Sequence, residues 1–215
     1  MPDVALNLFL LIGGALSLLY LVEFCWKPAS PLKTFVKTGA IAIPALGLTI
    51  SGAPLVPLAG LWACALGDYL LARDGERTLM AGIGAFALGH ILYVVGFIQI
   101  FEPEVFTTPA SIAVPLVLIL LGLSTEKWLQ PHTAELRGPV RIYVGLILIM
   151  GCVAAQQPIP QTTVFWGALA FILSDLLLSV QIFIKNDGIW GRLGSHLVWL
   201  FYYLAQVLIL YGFIA

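Results

Sequence analysis

Charge is the first thing this sequence lacks. Of its 215 residues only 10% are Asp, Glu, Lys or Arg, whereas 60% are hydrophobic; a soluble globular domain carries about 25% charged residues. A mean hydropathy of +1.02 completes the contrast, which excludes an ordinary soluble domain and marks an integral membrane protein. Excess basic charge is missing as well: ten Lys and Arg against eleven Asp and Glu leave a net charge of -1. With no basic stripe to neutralise a phosphate backbone, nucleic acid is not an expected partner. Cysteine is limited to Cys25, Cys64 and Cys152. They are too far apart for a zinc or redox motif and are read as small apolar residues. Also absent are a G-x-S-x-G nucleophile elbow, an H-E-x-x-H pair and a Gly-rich phosphate loop.

Histidine is equally sparse. A three-histidine metal site would need His90, His132 and His196, yet His132 falls in a loop and His196 near the start of the last apolar run. Both lie on the cytoplasmic side of His90, whereas zinc ligands must converge within about 2.1 Å of one point. Neither metal nor cofactor is expected.

What the chain has is long apolar runs. A hydrocarbon core of about 30 Å needs about 20 apolar helical residues. That length divides the sequence into eight spans near residues 4–24, 35–51, 54–73, 79–101, 109–123, 139–157, 161–185 and 194–214. The first follows no basic n-region and is too long for a signal-peptide core, so it is expected to stay attached. The second and fifth are short and contain Pro44 and Pro115; a kink is expected there rather than a break, because neighbouring helices satisfy the freed carbonyls. No long linker or low-complexity tract interrupts the pattern. The expected fold is all-α, a polytopic membrane protein with eight transmembrane helices in one bundle, residues 1–215 forming a single domain.

The loops test that count, because Lys and Arg collect on the cytoplasmic side of a membrane. Lys27, Lys33 and Lys37 flank the first loop, Arg73 and Arg77 the third, Lys127, Arg137 and Arg141 the fifth, and Lys185 and Arg192 the seventh. These are all ten basic residues, and every one lies at an odd-numbered loop. The even loops hold only uncharged or acidic residues, so both termini are expected outside the cytoplasm.

An ionisable side chain within such a span is expensive unless it faces the bundle interior, water or a partner, so each is a functional candidate. Glu23, Asp68, His90 and Asp175 qualify, with Tyr93, Ser174, Tyr202, Tyr203 and Gln206 as uncharged company. At about 1.5 Å per residue, Asp68 lies roughly 7 Å in from Arg73, Asp175 roughly 15 Å in from Lys185, and His90 roughly 20 Å beyond Arg77, with Gln206 at a similar height above Arg192. Those depths suit one cavity opening toward the cytoplasm. Phe86, His90, Tyr93 and Phe97 share a helix face, as do Tyr202 and Gln206. Asp175 has Phe171 at i-4 and Ser179 at i+4, an aromatic wall and a candidate hydroxyl partner. Cys64 and Gly67 leave room beside Asp68 for another backbone or a ligand. Purely structural readings suit several of these: Glu23 snorkelling to the interface, His90 bonded to a backbone carbonyl, Gly82, Gly89 and Gly96 permitting close helix packing, and the tyrosines in packing. The two aspartates fit a structural role least, because no Lys or Arg lies at matching depth to neutralise them.

The run "GLWACALGDYLLARDGERTLMAGIGAFALGHILYVVGF", with "GALAFILSDLLLSVQIF" and "FYYLAQVLILYGF", resembles the YhhN-like family of membrane lysoplasmalogenases. The likeness extends from about Lys33 to the C-terminus. It implies hydrolysis of the vinyl ether bond of a lysoplasmalogen, a lysophospholipid, to a fatty aldehyde and glycerophosphocholine or glycerophosphoethanolamine, within the lipid bilayer of a bacterial inner membrane. Carried over residue by residue, it points to Asp68, His90, Tyr93, Ser174, Asp175, Tyr203 and Gln206. A lysine near the start of the second span is also typical, often followed by proline; here Lys37 precedes Thr38, while Lys27 precedes Pro28.

Vinyl ether hydrolysis begins with protonation of the outer alkene carbon. Water then adds to the resulting oxocarbenium ion, and the hemiacetal collapses to aldehyde and alcohol. Two carboxyl groups suffice, one held protonated by apolar surroundings and one charged to stabilise the cation and activate water, a division of labour that glycosidases apply to a related cation. The expected acid is Asp175, the deeper and more apolar, and the expected base Asp68, nearer Arg73 and cytoplasmic water. His90, Tyr93 and Gln206 would position water or substrate oxygens, and Lys37 or Arg73 would hold the phosphate. A proton-coupled lipid carrier and a non-catalytic lipid binder are the competing readings; product formation separates the enzyme from both.

Overall fold

A computed structural model describes residues 4–101, 107–157, 162–184 and 188–214; Lys185, at the expected seventh loop, lies outside them. Among these residues there are eight α-helices and no strand: α1 (Val4–Leu19), α2 (Pro31–Ile50), α3 (Leu55–Leu71), α4 (Glu76–Phe101), α5 (Pro109–Trp128), α6 (Arg137–Ala154), α7 (Thr162–Phe183) and α8 (Gly188–Ile214). The protein is a polytopic helical membrane protein. Six segments, built on α1, α4, α5, α6, α7 and α8, are long and apolar enough to cross a bilayer. α3 is shorter, at 17 residues, and α2 carries Lys33 and Lys37 in its first two turns.

Local chemistry sets the ends. Ser30 caps α2, its hydroxyl accepting from the Lys33 amide at 3.1 Å, with Pro31 in the first turn, where its missing N–H costs nothing. Thr108 and Ser111 form a reciprocal capping box at the start of α5. These caps place α2 four residues ahead of its expected start, and α5 continues five residues past its expected end. Pro44 and Pro115 lie within unbroken helices, as lipid-embedded helices allow. α1 runs on into a π-helical turn, Tyr20–Phe24, closed by the Cys25 amide donating to the Tyr20 carbonyl at 2.9 Å.

The chain divides within α4 into two compact units, Met1–Leu92 and Tyr93–Ala215. In the first, α1 packs on α2 and α2 on α3. A Cβ on Gly13 would stand 2.6 Å from Pro44 Cδ, so only glycine admits α1 this close to α2. α4 meets α3 in the same way: a Cβ on Gly89 would lie 2.8 Å from Cys64 Sγ, and one on Gly82 2.7 Å from Leu71 Cδ2. This is the close packing expected of those two glycines. In the second unit, α5 packs on α6, α6 on α7 and α7 on α8. Arg141 joins Glu126 through both carboxylate oxygens, linking the start of α6 to the end of α5.

Candidate functional site

In the first unit, Asp68 lies one turn before the end of α3, its side chain 1% exposed. Its carboxylate has a cation: Lys37 Nζ stands 3.3 Å from Oδ1. The expectation that no Lys or Arg reaches that depth is therefore wrong. Because α2 begins at Pro31, Lys37 already sits nearly two turns inside the helix. α2 and α3 run antiparallel, and their ends meet at Thr34, whose hydroxyl donates to the Ser30 carbonyl at 3.0 Å and lies 3.5 Å from the Ala72 carbonyl. Arg73 turns away, its guanidinium lying over the Tyr69 ring at 3.6 Å. Asp68 is thus buried beside Lys37 rather than open to Arg73 and cytoplasmic water. Tyr20, 5% exposed and held in the π-helical turn, lies near enough to feel the Asp68 charge. The space beside Gly67 belongs to a side chain, since a Cβ there would stand 2.6 Å from Phe86 Cδ2.

His90 is fully buried on α4, and its Nδ1 donates to the Phe86 carbonyl at 2.6 Å. His132 and His196 repeat the device toward the Trp128 and Arg192 carbonyls, at 3.0 and 2.7 Å. The carbonyl-bonded reading of His90 therefore has its geometry, and in the neutral ring the bond puts the proton on Nδ1. Glu23 pairs with Lys27 at 2.7 Å, both exposed, in keeping with a residue at the span's end.

In the second unit, Asp175 on α7 is half-buried and accepts a hydrogen bond from the Tyr143 hydroxyl of α6. Sequence reasoning missed Tyr143. Two residues beyond Arg141 it reads as an interfacial aromatic, and the available signal was a phenol just inside a span's basic end. Ser179, the expected hydroxyl partner, donates instead to the Leu176 carbonyl at 2.8 Å. Although Asp175 is deeper by residue count, Asp68 is the more enclosed carboxyl, which reverses the expected order of burial. Ser174, 1% exposed, donates to the Val198 carbonyl at 3.0 Å and ties α7 to α8.

Tyr93 and Gln206 come together as a buried pair, the tyrosine hydroxyl donating to Gln206 Oε1 at 2.6 Å. That bond leaves Gln206 Nε2 buried with no hydrogen-bond partner among the described residues, an amide donor available to an oxygen that enters the protein. Tyr203 stacks with Trp199, ring centroids 6.2 Å apart, and Tyr202 meets Phe171 edge to face at 5.4 Å, so aromatic packing accounts for much of their placement.

The YhhN family matches residues 15–213. The chain belongs to that family. It is 34% identical over 139 residues to the uncharacterized membrane protein YhhN of Escherichia coli, an overlap covering 65% of this chain and 60% of that protein. The same figures hold for YhhN of Shigella flexneri. A lysoplasmalogenase of Mycobacterium tuberculosis is 26% identical over 163 residues, 74% of this chain and 59% of that protein. The matches thus span about three fifths of the length of these relatives. No solved structure matches the chain. Within the YhhN match fall Lys37, Asp68, His90 and Tyr93 as well as Tyr143, Ser174, Asp175, Tyr203 and Gln206.

Proposed function

We propose that this YhhN-family chain is an ether hydrolase that cleaves the vinyl ether bond of a lysoplasmalogen, releasing a fatty aldehyde and a glycerophospho-alcohol. One observation carries the reading: two carboxyl groups lie within apolar helices, one beside a lysine ammonium and one accepting from a phenol. Asp68 has the Lys37 ammonium at 3.3 Å, whereas Asp175 has a neutral phenol. Carboxyl groups with contrasting surroundings are what acid and base roles on one reaction require.

In this proposal Asp175 delivers a proton to the outer alkene carbon, and the electron pair of the double bond forms the new C–H bond. Asp68, beside the Lys37 ammonium, offsets the charge of the oxocarbenium ion and takes a proton from the attacking water. As the hemiacetal breaks its bond to the glycerol oxygen, that oxygen takes the proton held by Asp68 and leaves as the alcohol, while the hemiacetal hydroxyl returns its proton to Asp175 and becomes the aldehyde carbonyl. The proton count closes and no other reactant is consumed. The acid and base assignments are those expected from the sequence, but their support is now the difference between a lysine and a tyrosine partner rather than depth. Gln206 Nε2, fixed through Tyr93, is assigned to an oxygen of the substrate or of water. The lysoplasmalogenase relative supports the substrate class.

The test is to incubate detergent-purified protein with a lysoplasmalogen and with its saturated 1-alkyl analogue, following aldehyde by mass spectrometry. Aldehyde from the vinyl ether alone is expected. Release of fatty acid, or no product from folded protein, would contradict the proposal.

A further inference from the structure

Between α2 and the end of α3, within the first unit, lies a groove of about 640 Å³, in the range of about 300–1,000 Å³ typical of small-ligand pockets. Its course follows one face of α2. Thr34, Phe35, Thr38, Ala42 and Ile43 recur along it, and Tyr69, Arg73 and Asp74 close its other side. From Ser30 to Ile43 the helix rises about 20 Å, enough to pass the depth of one leaflet, about 15 Å of hydrocarbon. The far part of the groove is apolar, and the charges are confined to the end where α2 begins and α3 finishes.

That end carries one cation and one anion, Arg73 stacked on Tyr69 and Asp74 within the field of Lys33. Arg73 and Asp74 are exposed and form no ion pair with any described residue. Nearby lysines are engaged elsewhere: Lys37 holds Asp68, and Lys33 Nζ donates to the Lys27 carbonyl at 2.5 Å. Arg73 is nonetheless held in place by its stack on Tyr69 at 3.6 Å, which leaves the guanidinium edge available for a phosphate. Thr38 Oγ1, on the groove wall, is buried with no hydrogen-bond partner among the described residues. A fixed guanidinium and an adjacent carboxylate at the mouth of an apolar groove match the charges of a zwitterionic headgroup above a single hydrocarbon chain.

We infer that this groove binds a single-chain zwitterionic phospholipid, with phosphate on Arg73, the headgroup ammonium on Asp74 and the chain laid along α2 past Phe35 and Ala42 toward Ile43. The inference rests on the proposed lysophospholipid substrate and deepens it. Headgroup reading is assigned to Arg73 and Asp74 rather than to Lys37, and the chain reaches the protein from the bilayer side of α2.

Binding separates this inference from the hydrolase reading, because ordinary ester lysophosphatidylcholine has the headgroup but no vinyl ether. The experiment measures binding of lysophosphatidylcholine, lysophosphatidic acid, monoacylglycerol and two-chain phosphatidylcholine to the full chain by native mass spectrometry, with variants checked for unchanged melting. Wild type is expected to hold lysophosphatidylcholine about tenfold more tightly than the other three lipids. R73Q should bring it down to the level of monoacylglycerol, D74N to that of lysophosphatidic acid, and A42F should weaken all three single-chain lipids. Undiminished lysophosphatidylcholine binding by R73Q and D74N would overturn the headgroup assignment, and equal binding of two-chain phosphatidylcholine would mark an ordinary bilayer-facing surface. Should binding follow the expected pattern while no aldehyde forms from a lysoplasmalogen, the groove stands and the hydrolase reading fails.

Discussion

At the level of single residues, Asp68 and Lys37 show what was legible and what was not. A carboxylate within an apolar run is conspicuous in sequence, because solvation makes it costly there, and both aspartates were found on that ground. Its partner was hidden, since a lysine near a loop reads as interfacial until the helix start is known. Removing only the lysine leaves a buried charge unmatched. K37M is expected to lose about 3 kcal/mol of stability, read as a lower melting temperature in detergent, whereas K37M/D68N should recover most of it and stay inactive. A K37M protein as stable as wild type would mean that the pair is not jointly buried. Tyr143 escaped notice for a different reason: nothing in a one-dimensional pattern pairs a phenol on one helix with a carboxyl on another. Under the proposed mechanism Y143F should lower kcat about tenfold with little change in KM, and an unaltered kcat would remove Tyr143 from the account.

Helices were the most legible elements, because their length and apolarity follow from the bilayer itself. All eight lie where the apolar runs placed them. Their ends were less legible, since caps rather than hydrophobicity decide them: Ser30 with Pro31 starts α2 early, and α8 starts at Gly188, six residues before its expected position. Contacts between helices rest on small residues, and the structure separates glycines that are required from those that are not. Gly13 faces Pro44, whereas a Cβ on Gly84 would meet nothing within 4 Å. G13A should therefore destabilise the first unit by about 2 kcal/mol through overpacking, while G84A should be neutral or gain up to about 1 kcal/mol from helix propensity. Thermal melts of the two variants in the same detergent check both, and equal melts would remove the Gly13 contact from the account of α1 packing.

Across the whole molecule, a sequence with little charge and long apolar runs is sufficient to indicate a polytopic membrane protein, and the helices agree. Placement of all ten basic residues at odd loops supports the proposal that both termini lie outside the cytoplasm. A phosphatase fused after Ala215 should then be active and one fused at Asp74 inactive; the opposite pattern would reverse the orientation. Chemistry was legible only as an inventory, because electrostatic setting is a property of packed helices and not of spacing.

The central claim is that two aspartates, one paired with a lysine and one with a tyrosine, carry vinyl ether hydrolysis. Its most direct test runs wild type, D68N and D175N, each shown to melt as a folded protein, with a lysoplasmalogen in deuterium oxide. Protonation of the outer alkene carbon by solvent-exchanged carboxyl predicts aldehyde from the wild type with one deuterium next to the carbonyl, and none from either variant. Full aldehyde release by D68N or D175N, or unlabelled aldehyde from the wild type, would contradict it.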